Sequence, residues 1–459
     1  MPQGESLRAR VAAWRWQAGL NRWAGLLASE DVLWLVGIVA LAVLLRAVWV
    51  SYAVVDPLDG RFDDSVFYHN MGAMLARGEG YNNPWSGLPT AAWPPGYPFF
   101  LAGLYSLFEP NLLAAKLANV FLGAATCALL YLLGLHLFDR WSARLGAALL
   151  AVFPGQVVFA SLLWSETLFT FVFLLGLLCI LFAARKPSAL GHGWPLAAGL
   201  LFGVLALIRG QGLLLLPIAF LFWGLTSGRW LRAFRWTAAA AVIAVALLIP
   251  WGVRNYLALD SIVLISSSTG GNFWMGHHEG ATGRSVFPDG VAFASEHGPM
   301  DRPGGEVDIN QAGLREGLKF MVTHPLDELR LAGLKIRWLY GHDVVGLNLN
   351  EDFGFRAFMN DTLRAVLRPL SNVFFAAVLA AAGFSLLHWL REKVTGPLLP
   401  VLTIAVWTIG HVAFFGEPRF HFPIMPVFCL LAGWAVVSTL AAIRAFALQR
   451  APSSTPSQG

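Results

Sequence analysis

Charge is scarce in this chain. Of its 459 residues only 13% are Asp, Glu, Lys or Arg, where a water-soluble domain carries about a quarter. A soluble globular enzyme is therefore excluded as the starting picture. Cysteine is nearly absent. Cys127, Cys179 and Cys429 each sit inside an apolar run, at no metal-ligand spacing, so neither a disulfide framework nor a cysteine metal site is implied. No internal repeat and no cleavable leader is evident. A dense basic block is missing too. The net charge is +5 and the pI about 9.3, but the arginines are spread over short loops, so no nucleic-acid partner is expected.

What the chain has in place of charge is apolar length. Its composition is 57% hydrophobic, with a mean hydropathy of +0.61. A membrane span takes about 20 apolar residues, and the sequence offers about ten such segments. In lipid each segment must satisfy its own backbone, which makes them helices. The expected fold is thus an all-α polytopic membrane protein. Spans are predicted near 32–52, 111–138, 145–160, 167–184, 195–208, 213–225, 238–253, 369–390, 397–415 and 422–443, with a shorter apolar piece at 97–108.

The organisation that follows is a basic amphipathic segment over 1–30, with Arg8 to Leu27 lying at the interface, and a transmembrane module over 31–253 whose first outer loop is 53–97. A long outer loop over 254–365 with amphipathic helices follows, then C-terminal spans over 366–445 and a disordered tail, 446–459. Arg140, Arg144, Arg185, Lys186, Arg229, Arg232, Arg235, Arg391 and Arg444 fall on alternate connections. The positive-inside bias therefore places both termini in the cytoplasm and the polar loops outside. The membrane expected is a bacterial inner (plasma) membrane.

The first polar interruption, Arg61 to Pro98, carries Asp63, Asp64, Tyr68 and His69 ahead of a rigid Pro94-Pro95-Gly96-Tyr97. A partly desolvated carboxylate there can act as a general base; the plainer alternative is a helix cap. Glu166 opens another span and is either a second acid of the site or a first-turn residue favoured by the helix dipole. Arg209, Arg254 and Arg419 lie nearest the outer rim, with Lys116 toward the outer end of its span. Guanidinium groups suit phosphate, and snorkelling at the headgroups is the alternative. The Gly-rich, aromatic stretch 266–284 contains Asn272 and Trp274, residue types that bind sugars. The adjacent His277 and His278 lack zinc spacing, and no metal site is assigned, though a divalent ion is compatible with the acids. His421 sits in the turn Phe415–Pro423, which packs two charges and a His between two spans.

These residues resemble the GT-C polytopic glycosyltransferases, in particular the bacterial branch related to protein O-mannosyltransferases and lipid A aminoarabinose transferases (glycosyltransferase family 39 and its neighbours). The likeness rests on Asp64-x-x-x-Tyr68-His69, Pro94-Pro95-Gly96-Tyr97-Pro98, Ser165-Glu166-Thr167, Asn272-Phe273-Trp274-x-Gly276 and Pro418-Arg419-Phe420-x-x-Pro423. It implies sugar transfer from a polyprenyl-phosphate donor to a lipid, glycan or protein acceptor at the extracytoplasmic face, with inversion. Asp64 would be the base, with Asp63 as the alternative. Arg254, Arg209, Arg419 and Lys116 would serve the donor phosphate, and Tyr68, His69, Tyr97, Asn272, Trp274 and His421 the substrates. Two departures stand out: Asp63-Asp64 replaces the Asp-Glu of many relatives, and Ala92-Trp93 replaces the Glu-Lys of the aminoarabinose branch. The competing classes are a lipid-linked glycan flippase, which would place polar residues near the midplane, and an O-antigen-ligase-like protein.

Overall fold

The computed structural model describes residues 29–53, 64–185, 193–286, 288, 304–352, 358–392 and 394–450. Asp63, the amphipathic segment before residue 29 and the tail after 450 lie outside the described residues. No strand is formed among the described residues; one isolated bridge joins Asn82 and Pro89.

In chain order the helices are α1 (Ser29–Tyr52), α2 (Asp64–Ala76), α3 (Gly96–Phe108), α4 (Leu112–Leu137), α5 (Arg140–Ala151), α6 (Pro154–Val158), α7 (Glu166–Arg185), α8 (Gly193–Ile208), α9 (Leu215–Ser227) and α10 (Trp230–Leu259). They continue with α11 (Thr269–Met275), α12 (Gly305–Thr323), α13 (Pro325–Leu339), α14 (Val345–Asp352), α15 (Asp361–Glu392), α16 (Leu398–Val412) and α17 (Met425–Arg450). Tight 3-10 turns at Phe159–Ser161, Gly210–Leu214 and Pro418–Ile424 lead into α7, α9 and α17 or their connections.

Local chemistry sets the boundaries. The Asn111 side chain accepts from the backbone N–H groups of Leu113 and Ala114 at the start of α4. Asp139 does the same for Trp141 and Ser142 at α5, the cap those residue types favour. Gly228 closes α9 in the left-handed region at φ 65°.

Among the described residues seven helices are long and apolar enough to cross a membrane, eight if the bent pair α5–α6 is one span, and α3, α8 and α16 are shorter apolar helices. The expectation of about ten spans is met in outline. Two helices outrun their apolar stretches. α10 begins at Trp230 rather than 238, and α15 begins at Asp361 with Pro369 inside it. Polar residues at a bilayer edge need not end a helix, because its backbone bonds are already satisfied within the segment.

α7 is the hub: 78% of its apolar window is buried inside the protein, against 22% for α1, which faces outward. α7 packs on α4, α8 and α9, while α10 packs on α8 and α17 on α5 and α15. Small residues allow the closest of these approaches. A Cβ on Gly199 of α8 would stand 2.5 Å from the Ala240 carbonyl oxygen of α10, the kind of backbone contact that holds helices together where lipid removes the hydrophobic drive. The starts of α2 and α7 and the 3-10 turns before α9 and α17 bring their polar residues to one end of this bundle.

Candidate active site

α2 begins at Asp64, and its side chain is held from two directions. The Trp93 indole N–H donates to Oδ1 at 2.9 Å, and Arg419 Nη1 lies 3.2 Å from Oδ2. Trp93 reaches it because its ring is stacked on Phe67 with centroids 3.8 Å apart. Arg419 reaches it from the 3-10 turn before α17. Its guanidinium lies over the rings of Trp164, at 4.6 Å, and Phe420, at 5.2 Å.

A second ion pair stands beside the first. Glu166 Oε1 is 2.6 Å from Arg209 Nη1, and the same nitrogen donates to Ser165 Oγ at 3.0 Å. Phe420 is shared: Arg209 lies over its ring at 5.7 Å, as Arg419 does. Tyr68 sits between the pairs. Burial pushes its phenol above the usual range, the Asp64 and Glu166 charges add to this, and Arg209 and a hydrogen bond with Ser165 oppose it. Its hydroxyl therefore stays a proton-bearing donor. Accessibility separates the two acids. The Asp64 side chain is 30% exposed, while that of Glu166 is 1% exposed.

The other expected residues are distributed as follows. His69 is buried and its Nδ1 is 2.8 Å from the Tyr105 hydroxyl. Tyr97 is buried edge-on against Tyr68, centroids 4.9 Å apart. Lys116 is buried in the second turn of α4. Arg254 is turned to the first loop, donating to the Thr90 carbonyl at 2.6 Å and to the Tyr81 carbonyl, with its guanidinium over Trp251 and Tyr81. Asn272 and Trp274 lie on α11, which packs on α12. His421 is fixed by the Leu339 carbonyl at 2.8 Å and Asp343 Oδ1 at 3.1 Å, in a buried network separate from the Asp64 contacts.

Sequence reasoning missed Trp93 as a partner of Asp64, and also Trp164 and Glu306. The available signal was Trp93 standing directly before Pro94-Pro95: a tryptophan at a rigid polar turn needs an acceptor for its N–H when buried. Among the described residues no group of three or more His, Cys, Asp or Glu side chains is placed to hold a metal ion. Asp64 and Glu166 each face an arginine.

Residues 92–253 match a family model described as dolichyl-phosphate-mannose-protein mannosyltransferase. No significant match is found by sequence among curated proteins. Among solved structures the chain is similar to the Archaeoglobus fulgidus oligosaccharyltransferase in complex with zinc and sulfate, with a TM-score of 0.53 and 17% identity over 91% of this chain and 50% of the other. It is likewise similar to AglB from the same organism in complex with an inhibitory peptide and a dolichol-phosphate, with a TM-score of 0.51 and 16% identity over 93% and 53%. The fold is similar to that of these oligosaccharyltransferases. ArnT from Cupriavidus metallidurans bound to undecaprenyl phosphate aligns more loosely, with a TM-score of 0.42 and 17% identity over 92% and 81%. The chain spans about half the length of the archaeal oligosaccharyltransferase chains it matches. In this fold Asp64 opens α2 and Glu166 opens α7.

Proposed function

We propose that this protein is an integral membrane glycosyltransferase that moves a sugar from a polyprenyl-phosphate donor to a hydroxyl acceptor on the extracytoplasmic side. The observation that carries the reading is the Asp64–Arg419 pair: a carboxylate that substrate can reach, 3.2 Å from a guanidinium. Further support comes from the family match over 92–253, the GT-C fold and the charge asymmetry of the loops.

In this reading the donor phosphate takes over the Arg419 guanidinium and releases Oδ2 of Asp64. The acceptor hydroxyl gives its proton to Asp64 as its oxygen attacks the anomeric carbon from the face opposite the phosphate. The bond from that carbon to the phosphate oxygen breaks, the electron pair leaves with polyprenyl phosphate, and the anomeric centre inverts. Arg419 and Arg209 offset the charge gathering on the leaving phosphate, a preorganised electrostatic contribution that is usually the largest in such sites. Glu166, almost wholly buried, keeps Arg209 oriented. Tyr68 donates from between the two pairs. Arg254, held by two loop carbonyls, shapes the first loop.

The test is transfer of labelled sugar from a panel of polyprenyl-phosphate sugars to lipid, glycan and peptide acceptors by purified protein in lipid. Wild type should turn over, and folded Asp64→Asn should lose about a thousandfold or more, general-base and electrostatic contributions together. Equal rates for the two would remove Asp64 from the chemistry. A wild type inactive on every donor would overturn the class.

A further inference from the structure

The stretch Thr90–Trp93 is fastened at every carbonyl. That of Thr90 accepts from Arg254 at 2.6 Å and that of Ala91 from the Ser267 N–H at 2.9 Å. That of Ala92 accepts from the Ser266 hydroxyl at 2.6 Å, and that of Trp93 from the Tyr81 hydroxyl at 2.9 Å. Four residues of irregular backbone ahead of two prolines are thereby held like a strand without a sheet. Conformational freedom that would otherwise smear the position of the Trp93 indole is removed before any substrate arrives.

One carboxylate from elsewhere in the chain closes this strap. Glu306, in the first turn of α12, accepts from the Thr90 hydroxyl at 2.6 Å through Oε2 and from the Ala91 N–H at 2.7 Å through Oε1. Oε1 also accepts from the Ser267 hydroxyl at 2.8 Å. The Thr90 oxygen in turn accepts the Ala92 N–H at 3.1 Å. Hydrogen bonds to a charged acceptor are the strong ones, and three converge on this side chain. From Glu306 the path to the reacting group is short and continuous: through Thr90 and Ala91 to Trp93, whose N–H holds Oδ1 of Asp64 at 2.9 Å.

We infer that Glu306 is a positioning residue for Asp64, acting through the Thr90–Trp93 strap and the Trp93 indole. The first turn of α12 is thus coupled to Asp64. The inference rests on the glycosyltransferase reading for its kinetic consequence, but not for its structural one.

The experiment combines amide hydrogen exchange with kinetics on the full-length protein in lipid, comparing wild type, Glu306→Ala, Glu306→Gln, Trp93→Phe and the double variant Glu306→Ala/Trp93→Phe. Glu306→Ala should speed exchange at the Ala91 amide while leaving α7 and α4 protected, and Glu306→Gln, which keeps a side-chain acceptor, should largely restore protection. In the transfer assay Glu306→Ala should lower kcat by about ten- to a hundredfold, the scale of a misplaced catalytic group, with the KM for donor little changed. Trp93→Phe should lower it comparably, and the double variant should be no worse than the poorer single one. Losses that multiply in the double variant, or an Ala91 amide that exchanges at the wild-type rate in Glu306→Ala, would overturn the inference. If wild type transfers no sugar, the glycosyltransferase reading fails by itself, and the exchange arm still decides whether Glu306 holds the strap.

Discussion

Asp64 and Arg419 are separated by 355 residues in the chain and by 3.2 Å in the fold. The pair joins the first turn of α2 to the 3-10 turn before α17 and sets a partly exposed acid beside a guanidinium. Arg419→Gln is expected to keep the fold, because its side chain is 25% exposed and Phe420 and Trp164 remain packed. It should cost about a hundredfold or more in kcat/KM for the donor, as removal of one preorganised donor does. Transfer kinetics at varied donor concentration check this; an unchanged kcat/KM would detach Arg419 from the phosphate.

Glu166 and Arg209 form the buried counterpart, with side chains 1% and 16% exposed. Glu166→Ala strands a guanidinium in a poorly solvated place and should destabilise by about 3–5 kcal/mol. Glu166→Ala/Arg209→Met should regain most of the lost melting temperature in detergent, since no unpaired charge is left. A double variant as unstable as Glu166→Ala would mean the pair is not the source of the loss.

Inside the bundle, Arg46 of α1 donates to the carbonyls of Ala42, at 3.1 Å, and Ala151, at 3.2 Å, the latter where α5 breaks and bends by 54° into α6. Gly123 of α4 makes room for it: a Cβ there would stand 2.5 Å from Arg46 Nε. Gly123→Ala should therefore cost about 1–3 kcal/mol by overpacking, and Arg46→Met in the same protein should relieve it. Melting temperatures of the two variants decide; an unperturbed Gly123→Ala would show that the arginine moves aside freely.

Lys335 on α13 is 1% exposed, with Nζ 3.1 Å from His277 Nε2 and 3.9 Å from Glu328. Burial pushes its ammonium down from 10.5 to about 8, and Glu328 opposes the drop. The sign follows from linkage. Above about pH 8 the folded protein gives up this proton, while the unfolded chain keeps it to about 10.5. The unfolded state thus binds more protons in that window, and rising pH favours the fold. Below about pH 8 the penalty is fully present. The wild type should gain melting temperature from pH 8 to 10 relative to Lys335→Met, and parallel curves for the two would refute the assignment.

Much of this molecule was legible in its residues. The apolar runs that became α1, α4, α7 and α17 are local properties, because a segment in lipid has only itself to satisfy its N–H and C=O groups. Asp64 and Glu166 at helix starts were legible for a similar reason, since acids favour that end of a helix. The contacts of Arg254 were not legible: nothing near residue 254 says that its guanidinium would meet the carbonyls of Tyr81 and Thr90. Trp93 and Glu306 were hidden likewise, because a hydrogen bond across 29 residues to Asp64 or across 216 to Thr90 leaves no local pattern. Sequence alone determined where the chain would be helical and which polar residues it carried between spans. Only the packing of α2, α7, α12 and the turn before α17 decided which acid met which donor, since directional contacts of about 3 Å depend on the placement of whole helices.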